Sequence, residues 1–596
     1  MNLKKQIVLG KGRTAALLCG AMCVLGVSAA HYYVVPGGTG DYSAANPGGS
    51  PVEAATKATA SGDVIHLATG IYNCSATVTV LNGVTLVGGS DEPEKTVIAR
   101  SGTGDFDRAI ILRKNAVVRN LTTRGGYTVY QGAGVLCYDG NVHGDGVISN
   151  CVVENASAKY MGGGGCGGVW YDCVIRNCEV RNTVYGQNEG SGGGVFCATL
   201  YNCVVTNNVA GYGGGGVAGG TQNGAANGTR QVTKAYNCLI GWNRARFGGG
   251  AGASQVMSSR DLCQLYGCTV VSNTASAMGG GAFLCTISNS VVSTNYVPRA
   301  NDEGTAAAGG GVMYCNVFDS TLEGNRCVRG GAGAANSNLT GCRIVNNFAS
   351  YLGGGTYDCP LVKNCLLAGN TGNHGGAGFS GYFENCVMTN NTSNPYHGSA
   401  TYNATTRNCI VVGNYATTYL AHCRGSHYGD LVYGNRNGYG TYPSGIGTDS
   451  DREGETVPVV NCTVWGNLNG SANVGRATLT NSIVWSVENM GNYSAVNSFW
   501  RNGTVANQTG CISGTDKNPK FVGIDGTQVP PAETAGDAPW AAYTIRTSSP
   551  CRDTGLTLAG QVAEMDAIGN PRVKNGCVDM GALECVQSLG TYFLVR

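Results

Sequence analysis

The sequence predicts an all-β fold: a single-stranded, right-handed parallel β-helix of three parallel sheets, closed by an N-terminal and a C-terminal cap. Three observations carry this. A short phrase, Asn-Cys followed by aliphatic residues and a closing Asn, returns along most of the chain. Its copies fall at a near-constant interval, and a glycine triplet alternates with it.

The phrase reads Asn202-Cys203-Val204-Val205-Thr206-Asn207, then Asn237-Cys238-Leu239-Ile240, then Gly267-Cys268-Thr269-Val270, and it recurs to Asn461-Cys462, with Ser for Cys at 290, 320 and 482. Cys342, Cys365, Cys386 and Cys409 are separated by 23, 21 and 23 residues. That is about the length of three short strands and three turns, one coil of a β-solenoid. The Leu frame of a leucine-rich repeat is missing, and 96 glycines oppose the long helices of a helical repeat. Side chains alternate along a strand, so Cys203, Cys342, Cys365, Cys386 and Cys409 should point inward in one column, together with the aliphatic residue two positions on. The closing asparagines, among them Asn207, Asn347 and Asn391, suit a left-handed corner and should bond along the stack as a ladder. The triplets Gly192 to Gly194, Gly248 to Gly250, Gly279 to Gly281, Gly309 to Gly311 and Gly353 to Gly355 mark a second, tighter corner.

Composition narrows the class. With 42% hydrophobic and 12% charged residues the chain is not disordered, and its glycines lack a Gly-X-Y period. A net charge of +2 gives no electrostatic case for nucleic acid or an anionic membrane as partner. Residues 1–30 read as a signal peptide: Lys4, Lys5, Lys11 and Arg13 precede the apolar run Ala15 to Val27, and Ser28-Ala29-Ala30 offers a cleavage site. The mature chain is therefore expected to be exported, extracellular or surface-associated, without a transmembrane helix. Residues 31–110 should form the N-terminal cap and first turns, 111–500 the regular rungs, and 501–596 a closure of the open end.

Removing Cys19 and Cys23 leaves 25 cysteines, an odd number. Cys137, Cys197, Cys285, Cys315 and Cys359 suggest a second column after the glycines. Stacked side chains run parallel and fit the bridging dihedral poorly, so a mostly reduced stack is preferred to a disulfide ladder. Metal binding ranks last, since Cys-x-x-Cys and suitably spaced His are absent.

The alternation of glycine triplet and Asn-ending strand resembles the pectin-lyase-like β-helix superfamily, and in particular polymorphic outer-membrane and adhesin-type β-helices. The opening His31-Tyr32-Tyr33-Val34-Val35-Pro36-Gly37-Gly38 and Gly62-Asp63-Val64-Ile65-His66-Leu67 is similar to the first turns of secreted bacterial members. Asn518-Pro519-Lys520-Phe521, Ser549-Pro550-Cys551-Arg552-Asp553, Asp566-Ala567-Ile568-Gly569-Asn570-Pro571-Arg572 and Val578-Asp579-Met580-Gly581 resemble a choice-of-anchor region. The resemblance implies the architecture and leaves activity open, because one fold hosts many functions.

Catalytic tools are sparse. The rungs lack paired carboxylates, and pectinase-type Asp-Asp and Gly-His-Gly phrases are absent. His143, His374, His397 and His427 read as surface turn residues. Asp553, Asp566, Arg572 and Asp579 read as buried ion pairs or turn caps. Charges gather in stretched rungs. Insertions at 218–234 and 253–264 carry Arg230, Lys234, Arg260 and Asp261. Insertions at 183–190 and 296–308 leave from another corner with Arg299, Asp302 and Glu303. A longer one at 434–458 holds Tyr439, Tyr442 and the acids Asp449 to Glu455, which could hold Ca²⁺, the one cofactor considered. Two functions remain: a non-catalytic, adhesin-like binder of extracellular polysaccharide or glycoprotein, and a polysaccharide lyase or glycoside hydrolase with an unfamiliar site. The oligomeric state stays open.

Overall fold

The computed structural model describes residues 28–139, 142–182, 190–221, 230–253, 261–298, 307–418, 420–440, 442–448, 455–485, 494–501, 505, 507–514, 517–522, 543–557, 564–573 and 576–585. Among these, strands stack into three sheets of 34, 19 and 13 members, here sheets I, II and III. Pairing within them is parallel except for two lateral hairpins, Val135–Asp139 with Val142–His143 and Val217–Thr221 with Arg230–Gln231. The chain is a right-handed parallel β-helix.

One rung shows why these residues fold this way. Val195–Phe196 and Thr199–Tyr201 lie in two neighbouring columns of sheet I, here Ib and Ia; Val204–Thr206 lies in sheet II and Val209–Ala210 in sheet III. Positive-φ residues break the strands apart: Cys197, Asn202 and Asn207. Further on, columns Ib and Ia merge into single bent strands, Thr356–Lys363, Gly378–Glu384, Thr401–Arg407 and His422–Tyr428. The interior is a continuous apolar core of Val, Ile, Leu, Ala and Cys.

The cysteine column is inward, and it does more than fill space. The Cys203 N–H donates to Cys238 Sγ at 3.3 Å and Cys342 N–H to Cys365 Sγ at 3.3 Å. Serine does the same at 290 and 320, where the Ser290 N–H donates to Ser320 Oγ at 3.0 Å. Each thiol or hydroxyl thus satisfies a corner amide that strand pairing leaves unbonded. All 25 described cysteines are free thiols. Burial pushes the Cys137 and Cys166 thiols well above their ordinary range. The second column differs from expectation at Cys197, which takes the left-handed position, so Ala198 holds the column place and donates its N–H to Thr233 Oγ1. Cys263, Cys285 and Cys315 continue it.

The asparagine ladder runs inside the next corner, from Asn208 to Asn473. Asn325 is typical. Its Oδ1 accepts both the Asn295 N–H and the Asn295 Nδ2 at 3.0 Å, while its own Nδ2 donates to Val292 O at 2.9 Å and to Asn347 Oδ1 at 3.0 Å. Asn347 and Asn391 are members. Asn207 is not. It is exposed at φ 55°, and the fully buried ladder residue is its neighbour Asn208. The two roles expected of one asparagine fall on two positions, because a side chain at a left-handed corner turns outward as the chain reverses. The outward position tolerates Trp242 and Ser272, whereas the inward one is Asn243 and Asn273.

The glycine triplet, at the corner between sheets III and I, packs against this ladder, each member for its own reason. Gly192 has φ 69°; a Cβ on Gly193 would lie 2.4 Å from Val209 O; a Cβ on Gly194 would lie 3.0 Å from the Asn208 amide nitrogen. The last glycine therefore makes room for the ladder.

At the N-terminus a helix, Pro51–Lys57, is capped by Ser50 and buries Ala54 and Ala55 against the first rung. The described residues of 501–596 lie at the C-terminal end of the coil and along its side. Strands Asn507–Thr509 and Ile512–Ser513 continue the solenoid, and the chain then folds back along the outside of sheet II. Phe521, Tyr543, Ile545, Met580 and Leu583 pack on Ile410, Tyr433, Trp465, Trp485 and Phe499. The physical reason is a sheet face that is apolar on its outer side. Asn408 donates to Met565 O and Asn481 to Leu556 O, and the buried Arg572 pairs with Glu584 at 2.9 Å. Asp566 caps a turn by accepting the Ile568 and Asn570 N–H groups, and Asp579 accepts from Asp553 and Cys585.

Asn325→Ala strands the Asn295 N–H and the Val292 carbonyl, so urea unfolding should show a loss of about 1–3 kcal/mol, whereas Asn207→Gly should leave the midpoint nearly unchanged. Burial also pushes the Glu584 carboxyl up to about 7, above its ordinary 4.5. The folded chain then holds a proton that the unfolded chain has released. This contribution is full below about pH 4.5 and is lost as the pH rises through 7. Stability measured across that window should fall with rising pH, and Glu584→Gln should flatten the slope.

Candidate functional site

The outer face of column Ib is a groove whose floor is covered from Cys166 to Ala335 and opens in a cleft on either side of that stretch. In the two residues that open each column Ib strand, the first side chain points into the core and the second outward. The outward series in register includes Leu136, Cys166, Phe196, Ala218, Phe283, Met313, Ala335, Tyr357, Phe379 and Tyr402. Its aromatic members stack from rung to rung: Tyr357 on Phe379 at 5.6 Å and Phe379 on Tyr402 at 5.3 Å between centroids. One wall is the corner between sheets III and I, including Met161, Leu352 and His374. The other is the corner between columns Ib and Ia, where the two lateral hairpins project.

Two clefts open in this groove. The first, about 520 Å³, is lined by Phe106, Arg108, Arg113, Tyr130, Tyr138 and Tyr160, among others. Phe106 stacks on Tyr130 at 5.2 Å, and the Arg113 guanidinium lies 5.5 Å from the Tyr138 ring. Arg108 is buried and donates to Gln131 O at 2.9 Å; desolvation lowers its pKa. The second cleft, about 550 Å³, is lined by Tyr351, His374, Phe379, Tyr402, Arg424 and Glu455, with Asn403 and Thr456. Arg424 lies 5.2 Å over the Tyr402 ring, and His374 stacks on Tyr396 at 4.8 Å. Among the described residues lining the two clefts, Glu455 is the only carboxylate. A glycosidase pair needs two, roughly 5–9.5 Å apart.

The residues singled out in the sequence are only partly assembled here. Arg230 lies in a hairpin strand opposite Thr221, and Lys234 is half-buried in column Ia beside Gln264. Asp261 is exposed and accepts from Thr286 Oγ1 at 3.2 Å. Tyr439 is 72% exposed at the sheet III corner, and the Tyr442 carbonyl accepts from Asn437 Nδ2. Arg260, Arg299, Asp302, Glu303 and the acids 449–453 lie outside the described residues. The two corners from which the insertions leave are the two walls of one groove, a relation hidden in the sequence because the strand between them is only two residues long. The surface-turn reading of the histidines is corrected for His427, which is fully buried inside the coil, and for His397, at 6% exposure. The groove aromatics were missed, although each stands two residues after a triplet or its Gly-Ala variant.

No protein-family model and no curated protein matches this chain. Among solved structures it is similar to the pectate lyase Pel9A, at 14% identity over 94% of this chain and 98% of that one, with a TM-score of 0.20. It is also similar to the Dettilon tailspike protein gp208, at 11% identity, 67% and 66% coverage and a TM-score of 0.26, and to tailspike protein 3 of bacteriophage CBA120, at 13% identity, 80% and 62% coverage and a TM-score of 0.25. Among the described residues, no helix is long and apolar enough to cross a membrane.

Proposed function

We propose that this chain is an exported, adhesin-like protein that binds extracellular polysaccharide or the glycans of a glycoprotein along the column Ib groove without cleaving them. The observation that carries this reading is the aromatic floor of the second cleft. Rings repeat at 5.3–5.6 Å between centroids, a pitch suited to successive sugar rings, and the stack presents a rigid row of ring edges whose order costs little entropy on binding. Arg424, His374 and Asn403 supply polar contacts at the edge. The insertions bearing Arg230, Lys234, Arg260, Asp261, Arg299, Asp302 and Glu303, and the turn with Tyr439 and Tyr442, serve as the rim.

A second reading, a polysaccharide lyase, is favoured by one observation: the charged insertions leave the coil at the two corners that flank the same groove. Arg424 would then be the candidate base and Glu455 its nearest acid, with Ca²⁺ as a candidate cofactor.

The test is isothermal titration of the mature chain with pectin, alginate, mucin and glycosaminoglycans, with unsaturated and reducing ends followed in parallel, with and without Ca²⁺. Binding without new ends is expected. Tyr402→Ala should weaken it at least about tenfold, or about 1.4 kcal/mol, and Phe348→Ala, an exposed ring on sheet III, should not. New unsaturated ends lost in Arg424→Ala would establish the lyase reading, and absence of both binding and turnover would leave neither.

A further inference from the structure

The inward side chains of columns Ib and Ia are apolar or small and neutral in almost every rung, and the ionisable exceptions gather in one place. Column Ib points Val312, Ala334 and Ile446 inward, but Thr401 and His422 in two successive rungs between them. Column Ia points Val362, Phe383 and Val459 inward, but Thr406 and His427 in the same two rungs. The cysteine column carries Asp430 where its neighbours carry Cys409 and Cys462. The bend at Arg424 and Gly425, both at positive φ, turns the strand His422–Tyr428 so that its two imidazoles meet inside the coil, centroids 4.5 Å apart. His422, His427 and Asp430 are fully buried.

The hydrogen bonds fix what these groups offer. Asp430 accepts the Cys409 N–H at 2.7 Å and the Thr406 hydroxyl. Having given its proton to the carboxylate, Thr406 must accept from His427 Nδ1, 2.8 Å away. Nδ1 of His427 therefore carries a proton, and its Nε2 is buried without a hydrogen-bond partner. His422 bonds Thr401 through Nδ1 at 2.5 Å, and its Nε2 is likewise buried without a hydrogen-bond partner. Both donors to Asp430 are neutral, and the neighbouring Arg572 lies outside the wall on the Asn461 carbonyl. Two partnerless imidazole nitrogens and a buried carboxylate bonded by neutral donors are costly in an apolar interior. A dication removes the cost of all three. One donor atom from each residue lies within 4.8 Å of the others, with His427 Nδ1 3.7 Å from Asp430 Oδ2, and the Thr401 and Thr406 hydroxyls hold the two rings in place, as outer partners do around metal-bound histidines.

We infer that His422, His427 and Asp430 form an internal binding site for a transition-metal cation of the Zn²⁺ class. Nitrogen and carboxylate donors suit such an ion. Metal–ligand distances of roughly 2.0–2.2 Å require the three side chains to draw together slightly. With the site sealed by neighbouring rungs, the ion enters as the coil forms, so metal uptake is coupled to folding.

The test refolds the mature chain from denaturant in EDTA, in Zn²⁺ or in Co²⁺, and reads bound metal by mass spectrometry, melting temperature and the visible Co²⁺ spectrum. One ion per chain, a higher melting temperature with Zn²⁺, and tetrahedral Co²⁺ bands without strong thiolate charge transfer are expected. The triple variant His422→Val, His427→Val, Asp430→Cys restores the residue types of other rungs and should fold without metal and bind none. Equal metal content in that variant, or thiolate charge-transfer bands in the wild-type chain, would place the metal elsewhere and overturn the assignment. If the variant does not fold, the wild-type chain decides: no bound Co²⁺ after refolding refutes the site.

Discussion

Everything in this solenoid hangs on the buried asparagine ladder. A coil that turns a sharp corner on every rung must leave backbone amides and carbonyls pointing into an apolar interior. Each ladder amide meets this need in four directions, closing one amide, one carbonyl and the two neighbouring side chains. The glycine triplet is its steric complement, since a side chain at Gly194, Gly250 or Gly311 would crowd the ladder nitrogen. The cysteine and serine column does the lesser version of the same work one corner earlier. With the corners fixed, the sheets between them need only short aliphatic strands.

That economy shapes the outer surface. Because column Ib strands hold only two residues between corners, a single outward side chain per rung makes the groove floor, and the loops at both corners become its walls. Aromatic residues at that one position, in Tyr357, Phe379 and Tyr402, pave it over successive rungs. The rigid coil sets their spacing, so the floor is organised before any ligand arrives.

Much of this was legible in the residues. The repeat interval gave the coil, strand alternation gave the inward cysteines, and Asn347 and Asn391 were rightly assigned to the ladder. Asn207 was not, because left-handed tolerance and ladder bonding are both asparagine properties and adjacent asparagines stand at 207 and 208. Only the rungs with Trp242-Asn243 and Ser272-Asn273 separate the two, since neither Trp nor Ser could serve the ladder. The tail that folds back over sheet II also left a signal. Val204–Thr206 alternates as a strand with one wet face, whereas Ile410–Val412 and Ile483–Trp485 are apolar throughout, the mark of a strand covered on both sides. The His422, His427 and Asp430 cluster was hidden because its members belong to three different columns, which meet only once the coil is wound.

The folded-back tail makes the two ends of the molecule unequal. A solenoid whose rungs contact only their neighbours peels from whichever terminus is loosest. Here the tail crosses the last rungs transversely, gripping Asn408, Asn461 and Asn481 on separate coils. These coils cannot leave one at a time; they release together or not at all. Unravelling under tension or protease therefore has a direction, starting from the end held by one short helix and travelling toward the bound one.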